Sequence, residues 1–361
     1  MSEWKKVKFM DFIVLQRGFD LTKESIKEGL YPVVCSTSIM GYHNDYKVKG
    51  PGVVTGRSGT LGETQFVIEN FWPHNTTLYV KDFKGNDRHF VYYFMKNFDI
   101  ASMGGGAAIP SLNRNVLSNI TVSIPDISTQ HRIATILSRY DSLIENYQKQ
   151  IKLLEESAQR LYKEWFIDLR FPGHENTKIV DGVPEGWEKK CVDSIYSIKY
   201  GKNLSTKLIE EKGDYPVYGA NGVIGYYSEA NCNEQVVLIT SRGNGSGDVL
   251  MTYHKDAFIT NNSFIVTPLE EYLYCQLPFT YQFLKCANFR NVRTGAAQPQ
   301  LTNQSIHTID VILPTKDIII EFCKKNYSNN GLIINLKAEI RHLTEARDRL
   351  LPKLMSGEIE V

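Results

Sequence analysis

The chain has 361 residues, and its 41 Lys and Arg nearly cancel its 40 Asp and Glu to a formal net charge of +1. That balance excludes a polybasic tail as the way of holding a polyanion, while permitting local basic patches. With 42% hydrophobic and 11% aromatic residues the chain is not disordered, and its length suits about two domains.

The first segment opens at Trp4. It runs through short β-branched and aromatic stretches broken by glycine, YPVV (Tyr31–Val34), GVVTG (Gly52–Gly56) and TTLYV (Thr76–Val80), which read as strands. HFVYYFMKNF from His89 reads as a short helix. GGGAAIPSL (Gly104–Leu112) is a loop, and the apolar ITVSIP ends at Pro125. Ser128 is placed to cap a helix reaching about Phe166, about 58 Å long. Within it Ile144, Tyr147, Ile151, Leu154, Ala158, Leu161 and Trp165 step by 3 and 4 in alternation, a heptad seam that must face another helix.

RFPGHENTKIVDGVPEG (Arg170–Gly186) is a linker with proline and glycine. After it the programme repeats. Trp187 answers Trp4, Tyr215-Pro216-Val217 answers Tyr31-Pro32-Val33, and Gly225-Tyr226 answers Gly41-Tyr42. Thr240 and Arg242 answer Thr55 and Arg57, Asn261 answers Asn75, TGAAQPQL (Thr294–Leu301) answers GGAAIPSL, and IDVILP answers ITVSIP. The seam returns as Ile333, Leu336, Ile340, Leu343, Arg347, Leu350 and Leu354, each 189 positions after its counterpart (333 − 144 = 189). Two seams in one chain can supply each other as an antiparallel pair. Arg347 interrupts the second; its stem is expected on apolar surface with its head in water. The expected divisions are 1–126 and 187–315 for two similar domains, 127–169 and 316–361 for two long helices, and 170–186 for the linker. The fold class is α/β (α+β) with an internal pseudo-two-fold repeat.

Two similar domains held apart by helices suit a target with two separated parts. DNA is such a target, since accessible stretches of one groove recur about every 34 Å. The order "Pro-x-Gly-Trp, strand-rich domain, GAAxPxL, apolar run ending in Pro, heptad helix", twice over, resembles the specificity subunit of type I restriction–modification systems. LYKEWFIDLRFPGHE (Leu161–Glu175) and LTEARDRLLPKLMSGEI (Leu343–Ile359) resemble that family's helix ends, and the likeness spans nearly the whole chain. One departure is the start MSEWKKVKF, which lacks Pro-x-Gly before its Trp. The resemblance implies two target recognition domains, each reading one half of a split double-stranded DNA sequence. It implies helices that act as spacer and as platform for two modification (methyltransferase) subunits, joined by restriction (helicase-nuclease) subunits. S-adenosylmethionine, ATP and Mg²⁺ then belong to the partners, with no cofactor on this chain.

No catalytic motif competes with that reading. The chain contains no Pro-Pro, hence no Asp/Asn-Pro-Pro-Phe/Tyr methyltransferase motif, and no GxxxxGK[ST] phosphate loop. GRSGTLG (Gly56–Gly62) and GNGSG (Gly243–Gly247) read as turns, and Asp126, Glu185, Glu188 and Lys189 as solvated charges rather than a nuclease cluster. Neither the eight histidines nor the six cysteines show metal-ligand spacing. MSEWKKVKFMDF has no apolar core and no run approaches a membrane span, so a cytoplasmic, non-membrane protein is expected.

The repeat also sorts candidate DNA contacts. Residues shared by both halves cannot distinguish two half-sites and suit phosphate, whereas unshared ones can read bases. Arg57 and Arg242, on Thr-x-Arg turns, are the phosphate candidates; the alternative is a surface ion pair. Asn75 and Asn261 read as turn residues. Lys285, Asn288, Arg290, Asn291 and Arg293 form a run suited to the major groove, because Arg pairs bidentately with guanine and Asn with adenine. At the same offset the first half has Ala101 and Gly104 for Arg290 and Arg293. In the first half His43, Asn44, Tyr46 and Lys47 are the comparable cluster, the alternative for both being ordinary polar loops. The expected helix-pair interface is Ile144, Tyr147, Ile151, Leu154 and Leu161 with Ile333, Leu336, Ile340, Leu343 and Leu350. The expectation is a non-enzymatic, DNA-sequence-specifying subunit; the competing class is a coiled-coil protein–protein scaffold without DNA binding.

Overall fold

The computed structural model describes residues 4–58, 60–100, 117–118, 120–295 and 299–361. They pack as two compact units, Met1–Asn146 with Ile340–Val361, and Tyr147–Glu339. The boundaries of packing thus fall inside the long helices rather than at their ends.

In the first unit the strands are β1 (Lys5–Lys8), β2 (Val14–Arg17), β3 (Tyr31–Val34), β4 (Ile39–His43), β5 (Gly52–Gly56), β6 (Thr64–Val67), β7 (Trp72–Pro73), β8 (Thr77–Asp82) and β9 (Thr121–Ile124). Helix α1 (Phe9–Phe12) follows β1, and α2 (Arg88–Asn97) follows β8. They form the sheets β2-β8-β5-β6, β4-β3-β7 and β1-β9. Every residue of β5 is buried, which is why GVVTG is a continuous apolar run rather than an alternating one. Helix α2 starts where Asp87 accepts the Phe90 N–H, and it buries Phe90, Val91, Tyr93, Phe94 and Met95 in the core.

Helix α3 spans Ile127–Tyr162 and ends in a π-helical turn, Lys163–Ile167. Its cap is Asp126, not the expected Ser128. The Asp126 carboxylate accepts the Thr129 N–H at 3.0 Å and the Ser128 hydroxyl at 2.6 Å. A carboxylate can take both donors at once, and those bonds hold its pKa down to about 2.

The linker folds into a hairpin of β10 (Ile179–Val180) and β11 (Val183–Pro184), turned by Asp181 and Gly182 in left-handed conformation. The second unit continues with β12 (Glu188–Cys191), β13 (Tyr196–Tyr200), β14 (Tyr215–Gly219), β15 (Gly222–Tyr227), β16 (Val237–Thr240), β17 (Val249–Met251), β18 (Phe258–Ile259), β19 (Ser263–Pro268), helices α4 (Leu277–Cys286) and α5 (Asn303–Ile306), and β20 (Asp310–Leu313). Its sheets, β13-β19-β16-β17, β15-β14-β18 and β12-β20, reproduce those of the first unit strand for strand. The parallel pairs β3–β7 and β14–β18 recur as well. Gly18 and Gly201 recur for a steric reason, since a side chain there would strike the carbonyls of Pro73 and His74, or of Ile259 and Thr260.

Helix α6 (Lys316–Ser356) completes the chain. In the first unit Leu351, Leu354 and Met355 of α6 share a core with Ile133, Ala134 and Leu137 of α3. In the second unit Phe322 packs on Tyr162, Trp165 and Phe166, while Lys337 meets Glu155 further back along α3. The pairing is antiparallel within each unit. All fourteen seam residues are buried or half-buried.

Arg347 departs from expectation. Its side chain is only 13% exposed, and its guanidinium bonds Asp141 and Asp348 rather than water. Tyr93 from α2 donates to the same Asp141 carboxylate. The counterpart of Arg347 in the repeat is Ala158, and there a small void is lined by Ala158, Gln282 and Asn330, the residues 189 positions from Arg347, Tyr93 and Asp141. The second unit instead ties Tyr253 and Lys337 to Glu155, with the Lys337 ammonium 3.4 Å from the Tyr253 ring centre. Burial and then the neighbouring carboxylate push both phenols, Tyr93 and Tyr253, upward, so each remains a donor.

Candidate nucleic-acid interface

In the second unit the interface candidates lie on three adjoining segments. The first is Ser241–Asp248, a tight loop leaving β16. The Thr240 N–H donates to the Asp248 carbonyl, and the Gly247 N–H donates to the Thr240 carbonyl, each at 2.8 Å. Gly243 and Gly247 have φ of +84° and +86°, conformations that favour glycine. GNGSG is therefore a structural turn. The second segment follows α4, where Asn288 is left-handed (φ +50°) and starts the turn Phe289–Val292, with Phe289 buried. The third is Thr294–Leu301, with Ala296–Gln298 outside the described residues. Gly243 donates to Pro299 and Leu301 to Ser241, which clips this segment to the first loop.

These contacts bring Arg242, Arg290 and Arg293 together. Arg242 is exposed and forms a backbone bridge with Gln300. Arg290 donates from Nε and Nη2 to Asp248 Oδ1 at 3.0 and 2.5 Å. Arg293 Nε donates to the Arg290 carbonyl at 2.9 Å. Asn291 is exposed, and its N–H donates to Asn288. Asn288 has a conformational task, because Asn tolerates the left-handed region better than most residues.

Lys285 is exposed in the last turn of α4. Its counterpart 189 positions earlier is Lys96, and both ammoniums lie over a tyrosine four residues back, Tyr281 at 5.4 Å and Tyr92 at 5.6 Å. Lys285 is shared by both halves and therefore fails the criterion for a base reader.

The first-half cluster is partly inward. His43 is corrected. It is 7% exposed, packs edge-on against Trp72 at 5.3 Å, and its Nδ1 accepts the Lys27 N–H. As the last residue of β4 it faces the sheet and is withdrawn from any groove. Tyr46 packs on Tyr31, and Lys47 lies over Trp72 at 4.5 Å beside Asp45. Asn44 is exposed. Arg57 is half-buried, with its N–H on the Thr76 carbonyl. Asn75 and Asn261 sit in turns. Ala101, Gly104 and GGGAAIPSL lie outside the described residues.

Of the charges read as solvated rather than as a nuclease cluster, Asp126 caps α3, Glu188 pairs with Lys190, and Lys189 pairs with Asp310. Among the described residues no group of three or more His, Cys, Asp and Glu side chains could hold a metal ion. Among them, too, no helix is long and apolar enough to cross a membrane.

The DNA specificity domain of type I restriction–modification systems matches this chain twice, over residues 1–156 and 184–342. The chain belongs to that specificity family. The two matches coincide with the two halves of the internal repeat. Among its relatives, the MjaIX specificity subunit of Methanocaldococcus jannaschii is 27% identical over 303 residues, covering 75% of this chain and 69% of that one. The MjaX specificity subunit, putative, of the same organism is 33% identical over 265 residues, covering 70% and 62%. The HindI specificity subunit of Haemophilus influenzae is 25% identical over 352 residues, covering 73% and 74%. A solved type I S subunit from M. genitalium shares the fold, with a TM-score of 0.63 at 21% identity over 98% of this chain and 96% of that one. Within this specificity fold, sequence reasoning missed Asp141 and Asp248. Asp248 had a signal, because Glu63 stands 185 positions before it, the offset that relates Arg57 to Arg242.

Proposed function

We propose that this chain is the DNA-sequence-specifying subunit of a type I restriction–modification complex, each unit's strand-rich domain reading one half of a bipartite target. The observation that carries this reading is the duplication: two family matches on two topologically identical domains. Identical folds with different surface loops suit two different half-sites. The second half offers Arg242, Arg290 and Arg293 on adjoining segments, and the first offers Asn44, Lys47 and Arg57. Arginine forks and asparagine amides are the donors that duplex DNA accepts at phosphates and base edges.

The chain itself performs no chemistry on this reading. Methyl transfer from S-adenosylmethionine belongs to two modification subunits, and ATP- and Mg²⁺-dependent cleavage belongs to restriction subunits. The paired helices serve as their platform. Family membership supports this over a protein–protein scaffold that never meets DNA.

Single-molecule methylation mapping of the source genome, with the gene intact and deleted, tests the proposal. The expected result is a methylated motif split by an unspecified gap of about half to one helical turn, lost on deletion. Unchanged methylation in the deletion strain overturns it.

A further inference from the structure

Arg290 is not free to wander over the surface. Asp248 Oδ1 accepts from both its Nε and its Nη2, and the pair is 57% and 39% exposed. An ion pair this open contributes little to stability, yet the backbone is built to bring its two ends together. Gly247 has φ +86°, and a Cβ there would lie 3.0–3.2 Å from atoms of Phe289 and Arg290. A side chain there would strain the backbone and crowd the turn, so glycine favours this close approach of loop and turn. Phe289, buried beneath Arg290, anchors the other side, and Arg293 Nε is tied to the Arg290 carbonyl.

Guanidinium geometry supplies the consequence. The Nε edge is taken by the carboxylate, which leaves Nη1 and the outward N–H of Nη2 as a second, parallel fork. That fork matches the O6 and N7 acceptors of guanine. We propose that Asp248 is a positioning residue, holding Arg290 edge-on so that its remaining fork reads a guanine in the half-site of the second domain. The carboxylate also repels phosphate, which keeps Arg290 off the backbone of non-cognate DNA. The device belongs to one half only, because the counterpart of Arg290 is Ala101 although an acid, Glu63, stands in the place of Asp248. This inference rests on the chain's reading as a DNA specificity subunit.

Methylation mapping with the full chain and its partner subunits tests it, using Asp248→Asn, Arg290→Ala and the double variant. Asp248→Asn is expected to keep the split motif but let one G·C position in one half become degenerate. Arg290→Ala should relax the same position, and the double variant should match Arg290→Ala. With duplexes carrying the mapped motif or that one pair changed, discrimination should fall roughly 5- to 150-fold in both single variants without adding in the double. An Asp248→Asn chain that keeps full selectivity where Arg290→Ala loses it overturns the positioning role and leaves the DNA reading intact. An Arg290→Ala chain with an unchanged motif overturns it as well. Loss of all methylation in Asp248→Asn that Asp248→Glu does not restore marks a structural role and equally overturns it. Only methylation that survives deletion of the gene removes the underlying reading.

Discussion

Arg347 Nη1 donates to Asp141 Oδ1 at 2.6 Å, and Tyr93 donates to the other oxygen of the same carboxylate at 2.6 Å. One acid thus joins α6, α3 and α2 within the first unit. Removing Arg347 leaves the half-buried Asp141 charge with the Tyr93 donor but without this cation, and removing Asp141 leaves Arg347 with the more exposed Asp348. Asp141→Leu or Arg347→Leu should each cost about 2–4 kcal/mol, read as a lower urea midpoint of the full chain. The double variant restores an apolar seam and should recover most of that loss; a strictly additive result would show that the two do not act as a pair.

Asp126 gives a pH dependence of definite sign. Its folded pKa is held down to about 2 by the Ser128 hydroxyl and then the Thr129 N–H, against an ordinary value of 3.8. A depressed carboxylate stabilises the fold above its unfolded pKa and loses that contribution as pH falls through the folded one. The stability difference between wild type and Asp126→Ala should therefore be constant from neutral pH to about pH 5 and shrink between about pH 4 and 2. Urea titrations over that range check it.

Gly18 and Gly201 make matching predictions in the two units. A Cβ at either would meet backbone carbonyls of the facing strand, so strand and loop must part. Gly18→Ala and Gly201→Ala should each destabilise the chain by about 1–3 kcal/mol. Equal melting of wild type and variant would refute the close approach.

Arg57 and Arg242 should behave as phosphate contacts. Alanine at either is expected to weaken binding to every duplex alike and to lower the slope of log K against log salt by about 1. A loss confined to one half-site would make them base readers instead.

Leu336, 7% exposed, tests the helix pairing of the second unit. Leu336→Ala should cost about 2–5 kcal/mol in a urea melt, and Leu154→Lys should disturb the pair and assembly with the partner subunits together. An unaltered midpoint for Leu336→Ala would argue against a packed seam.

Much of the architecture was legible because it rests on local periodicity. The 3-and-4 stepping from Ile144 to Trp165 requires one helical stripe whatever lies elsewhere, and its recurrence 189 positions on supplies the partner. YPVV, GVVTG and TTLYV sit within a residue or two of β3, β5 and β8, since β-branched runs bounded by glycine suit buried strands. The site was legible only in part. His43 looked like a surface polar residue in HNDYK, but strand alternation turns it toward Trp72. Lys285 looked distinctive until its helix was aligned with the one bearing Lys96.

By itself, the sequence determined the duplication, the helix seams and the absence of recognised catalytic motifs, all properties of spacing along the chain. Only the tertiary structure decided what each charged side chain faces. Arg347 meets Asp141 across 206 residues, and Arg290 meets Asp248 across 42. Such pairs form because a charge leaving water must find its opposite among whatever neighbours the fold assembles, and sequence spacing does not encode those neighbours.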